Sequence, residues 1–161
     1  SQKNLEALLM EKQGVDPDDA KIIATMANGS YSKALSMISP MNNINWRNQR
    51  EWLINEVESL STRPIVSLMA FAAKLSRNKE VLADSLEVIK SWLRDLVIYK
   101  YQPEKIVNKD LADKIKRSSK KVTAISLLSK IYDIQSAQKN IQANANLRLT
   151  LEVLIMRLAR D

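Results

Sequence analysis

The chain has 161 residues, 45% hydrophobic and 27% charged, with a net charge of +7 and neither Cys nor His. Disulfides, thiolate or imidazole metal sites, and Ser/His/Asp or Cys/His nucleophilic catalysis are thereby excluded. Two Gly and four Pro leave few places to turn, which favours long helices, and no apolar run reaches the roughly 18–20 residues of a membrane span.

Residues 2–13 read as an amphipathic helix with Leu5, Leu8, Leu9 and Lys12 on one side and Gly14 as its stop. The chain opens inside this helical pattern with no capping segment ahead of it, so an excised fragment is expected and a signal peptide is not. Asp16-Pro-Asp-Asp19 has the chemistry of a helix start, with Asp16 as cap, Pro17 in the first turn and two acids against the positive end of the dipole. Ala20, Ile23, Ala24 and Ala27 supply its apolar side, and Asn28-Gly29 ends it. Ser30 caps a third helix to about Ser39. Lys33 falls in the first turn of that helix, where a cation opposes the dipole. Either its long stem carries the charge into solvent, or Lys33 and the free N–H groups of the turn, with Ser30, face a phosphate.

Residues 1–40 hold Lys3, Lys12, Lys21 and Lys33 against Glu6, Glu11, Asp16, Asp18 and Asp19, a net of −1 that leaves +8 for the rest. Ser39-Pro-Met-Asn-Asn43 breaks the helical pattern at the same place, which sets a boundary between a 1–40 unit and a 41–161 unit. A long helix follows from Ile44 to about Ser61, with Trp46, Trp52, Leu53, Val57 and Leu60 apolar. Thr62-Arg63-Pro64 restarts a helix to about Leu75, apolar at Ile65, Leu68, Met69 and Ala72. The longest helix runs from Lys79 to about Tyr101. Leu82, Leu86, Ile89, Leu93 and Leu96 trace one face, and Val81, Val88, Trp92 and Tyr99 trace another. So broad an apolar surface suits the middle of a bundle.

Residues 104–120 read as a polar connector with one short helical turn around Leu111 and Ile115. Within it, Lys114-Ile-Lys-Arg-Ser-Ser-Lys-Lys121 gathers five cations in eight residues. Lys116, Arg117, Lys120 and Lys121 are the candidate nucleic-acid contacts, although no aromatic residue is interleaved for base stacking. The alternative is a solvent-facing connector. Val122 to Ile141 is helical again, through Ile125, Leu128, Ile131, Tyr132 and Ile134. The last helix, with Asn144 or Asn146 as cap, has Leu147, Leu151, Leu154 and Leu158 on one stripe and Ile155 at its margin. Leu149, Val153 and Met156 form a second apolar patch on roughly the opposite side. Such a helix is either buried on both sides within its own domain or has one face to the core and one to a neighbouring subunit.

Two of these segments carry a resemblance. Asn144-Ala-Asn-Leu-Arg-Leu-Thr-Leu-Glu152 is similar to the end of the collar domain of clamp-loader subunits of bacterial DNA polymerase III. Gly29-Ser-Tyr-Ser-Lys-Ala-Leu35, after a short helix pair, resembles the sensor-2 segment in the lid domain of AAA+ proteins, which the clamp loaders carry as Gly-Ser-x-x-Arg-Ala-Leu. Lys33 stands where Arg is usual, a point charge in place of a bidentate fork. Trp92-Leu-Arg-Asp-Leu96 is similar to the start of the collar's long-helix signature, and the other middle helices match in pattern and length. Essentially the whole chain is covered, and among clamp-loader subunits the likeness is to the delta-prime type. The gamma/tau type is the alternative, and Lys33 and an end at Asp161 without a long tail weigh against it.

The resemblance implies an all-α protein: an AAA+ lid truncated at its start over residues 1–40, then a helical collar over 41–161. It implies an architectural role, in which collars of related subunits, delta and gamma/tau among them, associate into a ring that loads the sliding clamp on primed DNA. Leu149, Val153 and Met156, with Trp92 and Tyr99, are the expected contacts with neighbouring subunits, and Ser30 and Lys33 the nucleotide-proximal pair. The whole protein would then be a cytoplasmic subunit of DNA polymerase III, a DNA-directed DNA polymerase, that meets clamp and DNA indirectly and no membrane. Any nucleotide loop would lie in a preceding module, so no cofactor is expected in this stretch.

On the residues themselves, no Gly-rich phosphate loop occurs, and the carboxylate pairs Glu56/Glu58 and Asp110/Asp113 sit in polar surroundings that suit solvated surface rather than general acid–base work. A helix-turn-helix reader would have to come from residues 16–39, whose acidic balance opposes DNA. The remaining alternative is a stand-alone nucleic-acid-binding helical module built on the 114–121 run.

Overall fold

Side-chain caps mark most of the helix starts in the computed structural model, which describes residues 1–39 and 43–160. Asp16 accepts from the N–H of Asp18 at 3.1 Å with Pro17 in the first turn, Ser30 accepts from Lys33 at 3.4 Å, and Asn78 accepts from Glu80 at 3.0 Å. Each satisfies a donor that the first helical turn leaves without a partner. The helices are α1 (Gln2–Gln13), α2 (Pro17–Met26), α3 (Tyr31–Ile38), α4 (Asn43–Ser59), α5 (Ile65–Leu75), α6 (Lys79–Tyr101), α7 (Ala112–Ser119), α8 (Ala124–Gln142) and α9 (Leu147–Leu158), and the described residues include no strand. The chain is all-α, as its Gly- and Pro-poor composition predicts.

The connector differs from its expected form. Two 3-10 turns, Pro103–Lys105 and Lys109–Leu111, lead into α7, so most of the basic run is helical, with Ile115 buried beneath it. Lys116 and Arg117 fall in the last turn of α7, where cations complement the negative end of the dipole. The helix after Asn43 ends at Ser59 and gives way to a 3-10 turn, Leu60–Thr62.

Two hydrophobic cores form. The smaller one gathers Leu5 and Leu9 of α1, Ala20, Ile22, Ile23 and Ala24 of α2, Ala34 and Met37 of α3, and Trp46 of α4. The larger runs from Leu53 to Leu158 around α6, which packs against α4, α7 and α8, while α9 packs between α5 and α8. The two expected faces of α6 are both used: Leu82, Leu86, Ile89, Leu93 and Leu96 are buried, and so are Val88 and Trp92. Val81, at the helix start, is exposed. Most of the expected break at 39–43 falls on residues 40–42, outside the described residues.

Polar contacts join the cores. Arg47 reaches Asp19 of α2 at 2.6 Å and Asp110 at 3.7 Å, Lys33 of α3 pairs with Asp84 of α6, and Lys109 lies 3.7 Å from Asp18. Behind them, the buried Arg50 donates to Asn108 at 2.9 Å and pairs with Asp110, while its Nε has no hydrogen-bond partner among the described residues. Asn108 in turn donates to Asp95 at 2.7 Å, linking α4 through the 106–110 segment to α6. Asp110 is therefore an ion-pair partner while staying at the surface. Pairing also holds for Glu56, which binds Arg63 at 2.7 Å, and for Glu58, which binds Ser118 and Lys114.

Candidate functional site

The turn between α8 and α9 sets the outer face of the larger core. Asn144 adopts φ 58°, a left-handed conformation that Asn tolerates better than most residues. With it there, the N–H of Ala145 donates to the carbonyl of Asn140 at 3.0 Å and that of Asn144 to Ile141 at 3.1 Å, closing the end of α8. Asn146, not Asn144, then caps α9 by accepting from Leu149 at 3.0 Å. The phase so fixed buries Leu151, Leu154, Ile155 and Leu158, and leaves Leu149 (59% exposed), Val153 and Met156 outside.

On α8, Leu127, Ile131 and Ile134 face the core, and Ile125 (82% exposed), Leu128 and Tyr132 (68% exposed) form an outer stripe at helical spacing. Leu128, Tyr132, Ser136 and Asn140 continue one i,i+4 row. Ser136 and Asn140 line a cleft of about 220 Å³ whose other wall includes Leu149 and Val153 of α9. Arg157 and Asp133, 3.8 Å apart, sit at its edge. Six large apolar side chains thus stand exposed on two adjacent antiparallel helices, separated by a cleft with a polar margin. Exposed apolar surfaces of that kind are typical of contact surfaces with proteins, membranes or ligands.

The expected site residues do not gather in one place. Trp92, expected to touch a neighbouring subunit, is 1% exposed within the larger core, so it offers nothing to a partner; its second apolar face on α6 is covered by the chain's own helices. Tyr99 is half-buried and packs against the same core. Ser30 caps α3, and the partly exposed Lys33 ammonium pairs with Asp84 of the long helix. Lys116, Arg117, Lys120 and Lys121 are exposed and in no ion pair among the described residues, whereas Lys114 is held by Asn55 and Glu58. No group of His, Cys, Asp and Glu among the described residues is arranged to hold a metal, and no described helix is long and apolar enough to cross a membrane.

Sequence reasoning placed Ile125, Leu128 and Tyr132 on the apolar pattern of their helix without separating them from Ile131 and Ile134. The signal was present: 127, 131 and 134 form one phase, and 125, 128 and 132 another. Ile65 and Val66, at 52% and 76% exposed, are a second such surface at the start of α5, with Leu68, Phe71, Ala72 and Leu75 turned inward.

The family model described as DNA polymerase III, delta subunit, C terminal, matches residues 44–160. The chain belongs to that family. The match spans α4 to α9, the helices that build the larger core, and leaves α1–α3 outside it. Membership of this family makes the chain a clamp-loader component of DNA polymerase III. Searches of curated proteins and of solved structures give no match.

Proposed function

We propose that the 41–161 stretch is a collar, a domain by which this member of the delta C-terminal family joins other clamp-loader subunits, and that residues 1–40 are the remnant of an AAA+ lid. The observation that carries this reading is the row of exposed apolar side chains on α8 and α9, in a family whose members work inside a multi-subunit loader. Ring membership requires two faces per subunit. The α8/α9 surface supplies one, and Ile65 and Val66 at the start of α5 supply the other. Burying one Leu or Ile side chain fully is worth about 1.5–3 kcal/mol. A handful per face can sustain a contact once the cost of association is subtracted. Within the loader the reading is delta-prime, supported by the Lys33 substitution and by the ion pair that occupies it. The role is architectural: it brings the chain to delta and gamma/tau partners, and only through them to clamp and primed DNA, in the bacterial cytoplasm.

The test is assembly. Leu149→Asp with Met156→Asp places charges where the neighbour would pack, and the double variant should keep its helical circular dichroism while losing co-elution with the partner subunits. Intact rings from the double variant would overturn the assignment of this face.

A second reading rests on Lys116, Arg117, Lys120 and Lys121, cations in no ion pair among the described residues. On that reading the chain holds nucleic acid by itself. Titration of single-stranded and primed DNA at two salt concentrations separates the two, since phosphate contacts give affinity that falls steeply with salt. Tight binding by the chain alone, lost when the four cations are neutralised, supports the second reading.

A further inference from the structure

The end of α4, the middle of α6, the turn from α7 to α8 and the end of α9 enclose a groove of about 520 Å³, separate from the α8/α9 cleft. Clefts of roughly 300–1,000 Å³ are large enough to take a ligand or a peptide side chain. The floor is apolar, with Leu93, Leu96, Leu127 and Leu158 beneath it and Val57 and Val122 at its sides. The acid among its lining residues, Glu58, is already engaged by the Ser118 hydroxyl and by Lys114 at 3.6 Å. Lys121 stands on the rim, while Lys116 and Arg117 of α7 and Lys120 just after it lie outside the lining, all four exposed and in no ion pair among the described residues. The start of α8, where Thr123 caps Ser126 at 3.2 Å, brings the positive end of a long helix to the same rim. An apolar floor with its own acid neutralised, under a one-signed basic rim, is complementary to an apolar group flanked by negative charge.

We propose that this groove docks an acidic segment of a partner protein, seating one large apolar side chain on the floor and setting its carboxylates against Lys121 and the α7 cations. Nucleic acid fits the rim but not the floor. Trp92 is the aromatic residue of the lining, and at 1% exposed it lies under the surface, where no base can stack on it. The proposal goes beyond the collar reading and uses neither of the faces assigned to neighbouring subunits.

The experiment follows fluorescence anisotropy of a labelled short peptide of Asp and Glu with a single central Phe, added to the full subunit alone and within the assembled loader. Binding is expected in both settings, and replacing the Phe of the peptide by Ala should weaken it about tenfold, as loss of one buried apolar anchor predicts. Lys120→Glu with Lys121→Glu should weaken it about tenfold or more at low salt and less at high salt. Ser61→Trp, which fills the groove from an exposed position, should abolish binding while leaving assembly and circular dichroism unchanged. Three results would overturn the proposal: indifference to the Phe, indifference to Ser61→Trp, or loss of binding on assembly, which would make the groove part of an interface between subunits. Tighter binding of oligo(dT) than of the peptide, insensitive to Ser61→Trp, would assign the rim to nucleic acid instead. Intact rings from the Leu149→Asp, Met156→Asp double variant, with normal peptide binding, would count against the collar reading and leave this one standing.

Discussion

Asp95 is wholly buried, and its carboxyl lies above the ordinary value of 3.8 because burial penalises its charged form. Hydrogen bonds from the N–H groups of Val107 and Asn108, both at 2.8 Å, and from the Asn108 side chain pull the other way, as does the charge of Lys21, but they do not offset the burial. The raised value means that the folded chain binds a proton more tightly than the unfolded one. Stability from this group is therefore fully present below the unfolded value and falls as pH rises through the window up to the folded one. Asp95→Asn removes the titration while keeping the shape. Urea unfolding of both proteins across that window should show the advantage of wild type over the variant shrinking as pH rises. An advantage that grows with pH would mean the three hydrogen bonds outweigh the burial. Arg50 belongs to the same network and makes a simpler case. Removing one partner of a buried pair costs about 3–5 kcal/mol. Arg50→Ala should fall at the low end of that range, near ~3 kcal/mol, because Asp110 is a third exposed and water replaces part of the lost contact.

Among the elements, α9 shows how far a pattern carries. Its buried stripe, the position of its second apolar patch and its cap within two residues were legible, because period and cap chemistry are local properties, whereas the exposure of that patch was not. The choice between Asn144 and Asn146 was not legible, since it depends on which of them takes the left-handed conformation that closes α8. The two sites now separate by experiment. Asn146→Ala removes a cap and should cost about 1 kcal/mol in thermal or urea unfolding. Asn144→Gly should be neutral or slightly stabilising, whereas Asn144→Val, with a branched side chain at φ 58°, should destabilise. Equal losses at both positions would mean that the helix start is held by packing rather than by its cap. On α6 the doubly apolar pattern was read correctly as suiting the middle of a bundle, but Trp92 was given to a neighbouring subunit and meets its own chain, because periodicity reports that a face is apolar and says nothing about what packs on it. The same limit explains α7. A run of Lys and Arg looks like a connector until Ile115, buried at the middle of that helix, is seen to anchor it.

For the molecule as a whole, the unequal cores set an order of stability. Among the described residues, four of the ten buried in the smaller core are Ala, whereas the larger core holds twenty-four, mostly Leu and Ile around Trp92. Contact between the cores runs through Met26, which packs against both, through α4, which contributes to both, and through the ion pairs of Arg47, Lys33 and Lys109. A break in pattern and a change in charge set a boundary at Ser39-Pro-Met-Asn-Asn43 in the sequence, whereas the smaller core extends past it to Trp46 of α4. The polar bridge was not legible, because its members are far apart in sequence: Asp19, Arg47 and Asp110 meet only once both cores have formed. Native-state hydrogen exchange should therefore show α1–α3 opening at lower free energy than α6 and α8. Asp110→Asn weakens the pairing of both Arg47 and Arg50, and it should lower protection in α2 and α4 more than in α9, which lies away from the bridge. Uniform protection across the chain, or a variant that loses protection equally everywhere, would show that the cores unfold as one unit and that the ion pairs add nothing to their coupling.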